Sequence, residues 1–286
     1  MEKIKITCDS TCDLTRDLYE KHAVDVLSLG IALGDESRKD GLDVSAEELF
    51  QFVERTGTLP TTSAVSVGEY LAVFGKYRDE GRQVIHISLS SELSASYQNA
   101  CIASKETGNV FVVDSRSLSS GSGHLVLCAQ EMADQGMSAA DIVQALNEKK
   151  SLLDVSFVLQ TLEYLRKGGR CSGLTAYSAN LLKIRPEIEV VNGSMKVGKK
   201  YRGTMEHSIQ TYIRGRLEGK RDIDCERIFI THSGVPDHII EDAAALVKEL
   251  QPFHEVIVTR AGCTISSHCG PACLGVLFFR AADSKA

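Results

Sequence analysis

Val84-Ile85-His86-Ile87-Ser88-Leu89-Ser90-Ser91-Glu92-Leu93-Ser94-Ala95-Ser96-Tyr97-Gln98-Asn99-Ala100-Cys101-Ile102-Ala103 is the stretch that decides the fold. Residues 84–87 form a short β-rich run that reads as a strand, and the apolar, small-residue run 97–103 continues as a helix. The serine-rich turn between them therefore sits at a strand's carboxyl end. Residues 4–8 and 110–113 read as companion strands, and their alternation with helical patterns is how a parallel sheet with crossover helices is written. In open parallel sheets ligands bind at that edge, where strand-to-helix loops gather and helix N-termini point inward. Asp9-Ser10-Thr11 and Asp114-Ser115 follow the other two strands, so these turns are expected to face one crevice.

A second hydroxyl-rich segment, Pro60-Thr61-Thr62-Ser63, lies between two marked helices. Ser45-Ala46-Glu47-Glu48 is a capping box that opens a helix with Leu49, Phe52 and Val53 inward and Gly57 as terminator. Ser66-Val67-Gly68-Glu69 is another, followed by Leu71, Val73, Phe74 and Tyr77, so residues 60–63 are expected in the approach to a helix N-terminus. The first amides of a helix lack partners and carry the positive end of its dipole, and nearby hydroxyls add donors for a carboxylate or phosphate. Ser and Thr are also favoured in turns and at N-caps for purely structural reasons. Five serines among the nine residues 88–96 exceed what one cap requires, which favours a ligand.

Beyond about residue 153 the pattern changes. Asn192-Gly193 between residues 188–191 and 194–197 marks a two-residue hairpin and antiparallel pairing. Alternation resumes with strands near 228–231, 256–259 and 275–279 and a helix over 236–250. The expected architecture is α/β in two domains: residues 1–153 with a parallel sheet and crossover helices, and residues 154–286 with a mixed sheet, the ligand lying between them. The apolar residues Leu125, Val126 and Leu127 and the final strand are candidate walls for an apolar ligand.

With 286 residues, 43% of them apolar, the chain can bury a sizeable core, and its net charge of −6 argues against nonspecific binding to nucleic acid or an anionic membrane surface. No stretch approaches about 18 uninterrupted apolar residues and no charged leader opens the chain, which points to the cytoplasm. The nine cysteines are scattered and odd in number, so reduced thiols are the default. Cys8 with Cys12 and Cys269 with Cys273 lack the two-residue spacing of a zinc knuckle, and no metal is expected. Walker A and Rossmann glycine loops are missing, and Gly121-Ser122-Gly123 has no strand immediately before it, as a hydrolase elbow requires. Leu165-Arg166-Lys167-Gly168-Gly169-Arg170 reads as a helix end with dipole-matched cations, from which Arg170 could also reach an anion. His268-Cys269-Gly270-Pro271 reads as a tight turn with a titratable ring; a Ser or Cys nucleophile with His268 as base is the alternative reading, for a hydrolase or transferase.

Taken in order, Asp9-Ser10-Thr11-x-Asp13-Leu14, Pro60-Thr61-Thr62-Ser63, residues 87–100, residues 165–170, Ile184-Arg185-Pro186 with Gly193, and His268-x-Gly270-Pro271 resemble the DegV family over nearly the whole chain. The resemblance implies a fatty acid-binding protein without cofactor, the non-catalytic subunit of a bacterial fatty acid kinase. Such a subunit holds a long-chain fatty acid such as palmitate or oleate. A separate ATP-binding kinase subunit phosphorylates the carboxylate, and the acyl phosphate goes on to phospholipid synthesis. Carried over by position, Thr62 and Ser94 hold the carboxylate and the Ala95 amide adds a donor. Arg170 and His268 match positions near the head group associated with the phosphorylated form or kinase docking. The family usually has Gly where this chain has Ala95, which keeps the amide but adds a methyl and restricts the backbone to ordinary dihedrals.

Overall fold

The computed structural model describes residues 3–171 and 184–282. In chain order it runs β1 (Ile4–Asp9), α1 (Arg16–Lys21), β2 (Asp25–Leu27), β3 (Gly30–Leu33), β4 (Glu36–Lys39), α2 (Ala46–Thr56), β5 (Thr61–Ser63), α3 (Val67–Asp79) and β6 (Gln83–Ser88). It continues with α4 (Ser96–Thr107), β7 (Val110–Asp114), α5 (Ser119–Asp134), α6 (Ala139–Lys149), β8 (Leu153–Val158), α7 (Glu163–Gly168), β9 (Ile184–Val191) and β10 (Ser194–Arg202). The last elements are α8 (Met205–Leu217), β11 (Ile223–Ser233), α9 (Asp237–Leu250), β12 (Glu255–Arg260), α10 (Cys263–Cys269) and β13 (Cys273–Arg280).

The N-terminal sheet is parallel throughout, in the order β2-β1-β6-β7. β1 and β6 are buried along nearly their whole length, as strands covered on both faces must be. The C-terminal sheet is mixed, in the order β10-β9-β8-β13-β11-β12, with only the β11–β12 pair parallel. The protein is therefore two α/β units, as expected. Asn192 and Gly193 both take positive φ, 52° and 84°, and make the tight turn of the β9–β10 hairpin.

α5 lies between the two sheets, touching β1 and β6 on one side and β8, β11 and β13 on the other. Its first eleven residues, Ser119 to Ala129, are all buried, and small side chains let it fit. A Cβ on Gly123 would come within 2.7 Å of the Cys12 carbonyl and of Leu14. Gly121-Ser122-Gly123 is thus a packing device. Leu125, Val126 and Leu127 belong to this inter-sheet core and do not line the candidate ligand cavity described below, contrary to expectation.

A third, antiparallel sheet, β4-β3-β5, was not anticipated. It takes up residues 61–63: Thr62 pairs with Ile31, so the first hydroxyl segment is a strand, and Ser66 caps α3 three residues beyond it. His268 likewise lies in the last turn of α10, a helix where a tight turn was expected.

Candidate functional site

A cavity of about 160 Å³ opens between the two α/β units. Leu29, Leu89 and Leu118 from the N-terminal part and Phe157, Leu165 and Ile265 from the C-terminal part make its walls apolar. Thr62, Ser94, Ala95, Arg170 and His268 all border it, so the structure brings the five sequence-predicted residues to one place. Asp9-Ser10-Thr11 and Asp114-Ser115 do not reach the cavity. Of the expected turns, only the 88–96 turn and the segment carrying Thr62 line it.

Thr62 Oγ1 and His268 Nε2 are 3.0 Å apart. Burial, reinforced by the Arg170 charge, pushes the His268 pKa down to about 4, so the ring is neutral near pH 7. Its Nδ1 is buried without a partner among the described residues and faces Gly168, where any Cβ would overlap the ring. α10 owes its position to two carboxyl groups distant in sequence. Asp13 accepts from the Gly262 amide at 2.9 Å, and Asp40 accepts from the Cys263 and Thr264 amides at 2.7 and 3.2 Å. These are the orphan donors at the helix start, satisfied by two acidic side chains. Burial, helped by the nearby Asp40, raises the Asp13 pKa to about 8 against the opposing bonds from Ser119 and Gly262.

Ser94 stands just before α4. Its Oγ lies 3.0 Å from Ser96 Oγ and accepts from the Ser96 amide at 3.2 Å. Ala95 has φ −75° and ψ −4°, an ordinary right-handed conformation, so the methyl that distinguishes it from glycine imposes no backbone strain. Its amide donates to no group among the described residues. Arg170 donates to the Gly168 carbonyl at 2.7 Å and leans toward the Leu93 carbonyl, spanning α7 and the serine turn. The turn is also clasped by the hairpin, since Ser90 Oγ donates to the Gly193 carbonyl at 2.8 Å.

Sequence reasoning missed what lies beneath Ser94. Asp9 is fully buried, yet it accepts from Tyr70 Oη at 2.5 Å, Ser88 Oγ at 2.7 Å and the Leu89 amide at 2.8 Å, with His86 Nε2 at 3.2 Å. Burial alone would raise its pKa; His86 and these donors more than offset that and hold it below the usual carboxylate value. Ser88 and Ser96 both face the Tyr70 hydroxyl. Asp9 stood out only as part of a turn, because its partners Tyr70, Ser88 and Leu89 lie 61 to 80 residues away and their convergence leaves no local signal.

Among the described residues no group of three or more His, Cys, Asp or Glu side chains is placed to hold a metal, and no disulfide joins the cysteines. No described helix is long and apolar enough to cross a membrane. The DegV family profile, described as that of an uncharacterised protein family, matches residues 3–281. The chain belongs to the DegV family. A DegV domain-containing protein of Caldanaerobacter subterraneus subsp. tengcongensis is 34% identical over 280 residues, covering 97% of this chain and 99% of that one. Among solved structures, a DegV family protein from Thermus thermophilus described for its fatty acid binding superimposes with a TM-score of 0.87 at 30% identity, over 97% of this chain and 99% of that one. A DegV lipid-binding protein from Thermotoga maritima gives 0.86 at 27% identity, over 97% and 98%. The DegV fold thus accounts for both sheets.

Proposed function

We propose that the protein binds a long-chain fatty acid, with the carboxylate held by Thr62, Ser94 and the Ala95 amide and the tail in the apolar cavity. The observation that carries this reading is one cavity lined by half-buried hydroxyls from two separate segments and by buried leucine and phenylalanine side chains. Hydrogen bonds to a charged group contribute about 1.5 to 3 kcal/mol each, enough to place a head group. Burying a tail of about 16 carbons contributes on the order of 12 kcal/mol before ordering costs, so the tail dominates affinity. At about 160 Å³ the cavity is smaller than the ~300 to 1,000 Å³ of typical ligand sites. Leu118, Phe157, Ile265 and Cys269 separate it from a cavity of about 20 Å³ that reaches Gly275 and Leu277 on the final strand, and a tail would part these four side chains.

In this reading the protein is a cytoplasmic carrier, not an enzyme. It presents the carboxylate, with Arg170 and His268 near the head group, to an ATP-binding kinase subunit that forms the acyl phosphate for phospholipid synthesis. Thr62→Ala combined with Ser94→Ala is expected to abolish acyl phosphate formation with such a subunit; unchanged turnover would remove both residues from the role.

The alternative, a hydrolase or transferase with a Ser or Cys nucleophile and His268 as base, meets a threonine at the ring instead, with Thr62 Oγ1 3.0 Å from Nε2. His268 is then a weak base at about 4 and lacks an orienting partner at Nδ1 among the described residues, unlike the bases of acyl-transfer sites. A burst of product from an activated ester would support that chemistry.

A further inference from the structure

We infer that Asp9, acting through Tyr70 and Ser96, is a positioning residue that decides where the Ser94 proton points and so how firmly an ionised head group is held. The inference rests on the fatty acid reading above. Asp9 is ringed by donors and held ionised, so the single proton of Tyr70 is committed to it at 2.5 Å. The Tyr70 oxygen can then only accept, and of the two hydroxyls facing it Ser88 gives its proton to Asp9 at 2.7 Å, which leaves Ser96. Ser96 has one proton and two claimants, Tyr70 Oη and Ser94 Oγ, the latter 3.0 Å away. When Ser96 donates to Tyr70, it draws the Ser94 proton inward, and Ser94 shows lone pairs to the cavity. When Ser96 donates to Ser94, as its amide does at 3.2 Å, the Ser94 proton is free for a ligand but Tyr70 and Ser96 face each other without a proton between them.

A carboxylate accepts only. With an anion at each end, the line Asp9, Tyr70, Ser96, Ser94, ligand holds one proton fewer than its acceptors demand. Asp9 thereby loosens the grip of Ser94 on an ionised head group and leaves the tail to dominate affinity, as suits a head group that must stay available to a second protein. An alcohol head group both donates and accepts, so it satisfies either arrangement.

The test compares binding of a fatty acid and the fatty alcohol of the same chain length, at about pH 8, to the wild-type protein, Asp9→Asn and Ser96→Ala. An asparagine can donate to Tyr70, which turns every hydroxyl outward toward the ligand. Ser96→Ala cuts the line without touching Asp9 and covers the case in which Asp9→Asn does not fold. Both variants are expected to raise the acid-to-alcohol affinity ratio about tenfold, one charge-assisted hydrogen bond's worth. A ratio that stays at the wild-type value, or an equal loss for acid and alcohol, would give these residues a structural role only and overturn the inference while leaving fatty acid binding intact. A wild-type protein that binds neither ligand would overturn the proposed function and this inference with it.

Discussion

Thr62 and His268, 206 residues apart in the chain, meet with Oγ1 and Nε2 3.0 Å apart. They come from two elements that pack together, β5 and α10. Thr62 is on a three-residue strand held by β3, and His268 is on a helix anchored through Asp13 and Asp40. Both side chains line the cavity, as Ser94 does.

The neutrality of His268 sets one pH dependence. A folded-state pKa of about 4 against an ordinary 6.5 means that the native protein binds fewer protons than the unfolded chain between those values. Its contribution is harmless above about pH 6.5 and becomes destabilising as pH falls toward 4, by on the order of 3 kcal/mol. His268→Gln should lose less thermal stability than wild type between about pH 7 and pH 4.5. Parallel losses in the two proteins would contradict this.

Asp13 has the opposite sign. Its carboxyl, at about 8 against an ordinary 3.8, keeps a proton in the native state that the unfolded chain has already released, so it destabilises increasingly as pH rises between those values. Asp13→Asn, which can still accept the Gly262 amide, should melt above wild type at about pH 9 by a margin that shrinks toward about pH 5. A margin independent of pH would argue against a protonated Asp13.

Gly168 is expected to matter through one ring. A Cβ there would overlap His268, so Gly168→Ala should cost about 1 to 3 kcal/mol by overpacking and weaken fatty acid binding. In a His268→Ala background most of the cost should vanish, because the clash has been removed; equal costs in both backgrounds would place the strain elsewhere.

Phe157 stands in the wall between the two cavities. Phe157→Ala should shift preference toward longer tails, read as the affinity ratio of an 18-carbon to a 14-carbon acid. An unchanged ratio would route the tail away from Phe157.

The parallel sheet was legible because β6 and the helix after it announce themselves locally, by a β-branched run and a change of period. The β9–β10 hairpin was legible because Asn192-Gly193 favours the positive φ values its turn requires. β5 was not, because three residues carry no periodicity and its pairing with β3 is non-local. α10 was hidden for a related reason: Cys263-Thr264-Ile265-Ser266-Ser267-His268-Cys269 has no apolar stripe, and Gly262 offers no side-chain cap. Its caps arrive from Asp13 and Asp40, more than 200 residues earlier. The five candidate residues were reached through the DegV resemblance and the hydroxyl-rich segments; the Asp9 group beneath them required three-dimensional contacts to be seen.

Native mass spectrometry of the purified protein, before and after solvent extraction and after addition of palmitate or oleate, tests the central claim most directly. The account predicts an adduct of fatty acid mass that extraction removes, added ligand restores, and Thr62→Ala with Ser94→Ala weakens. A protein that carries no such adduct and takes up neither acid would contradict it.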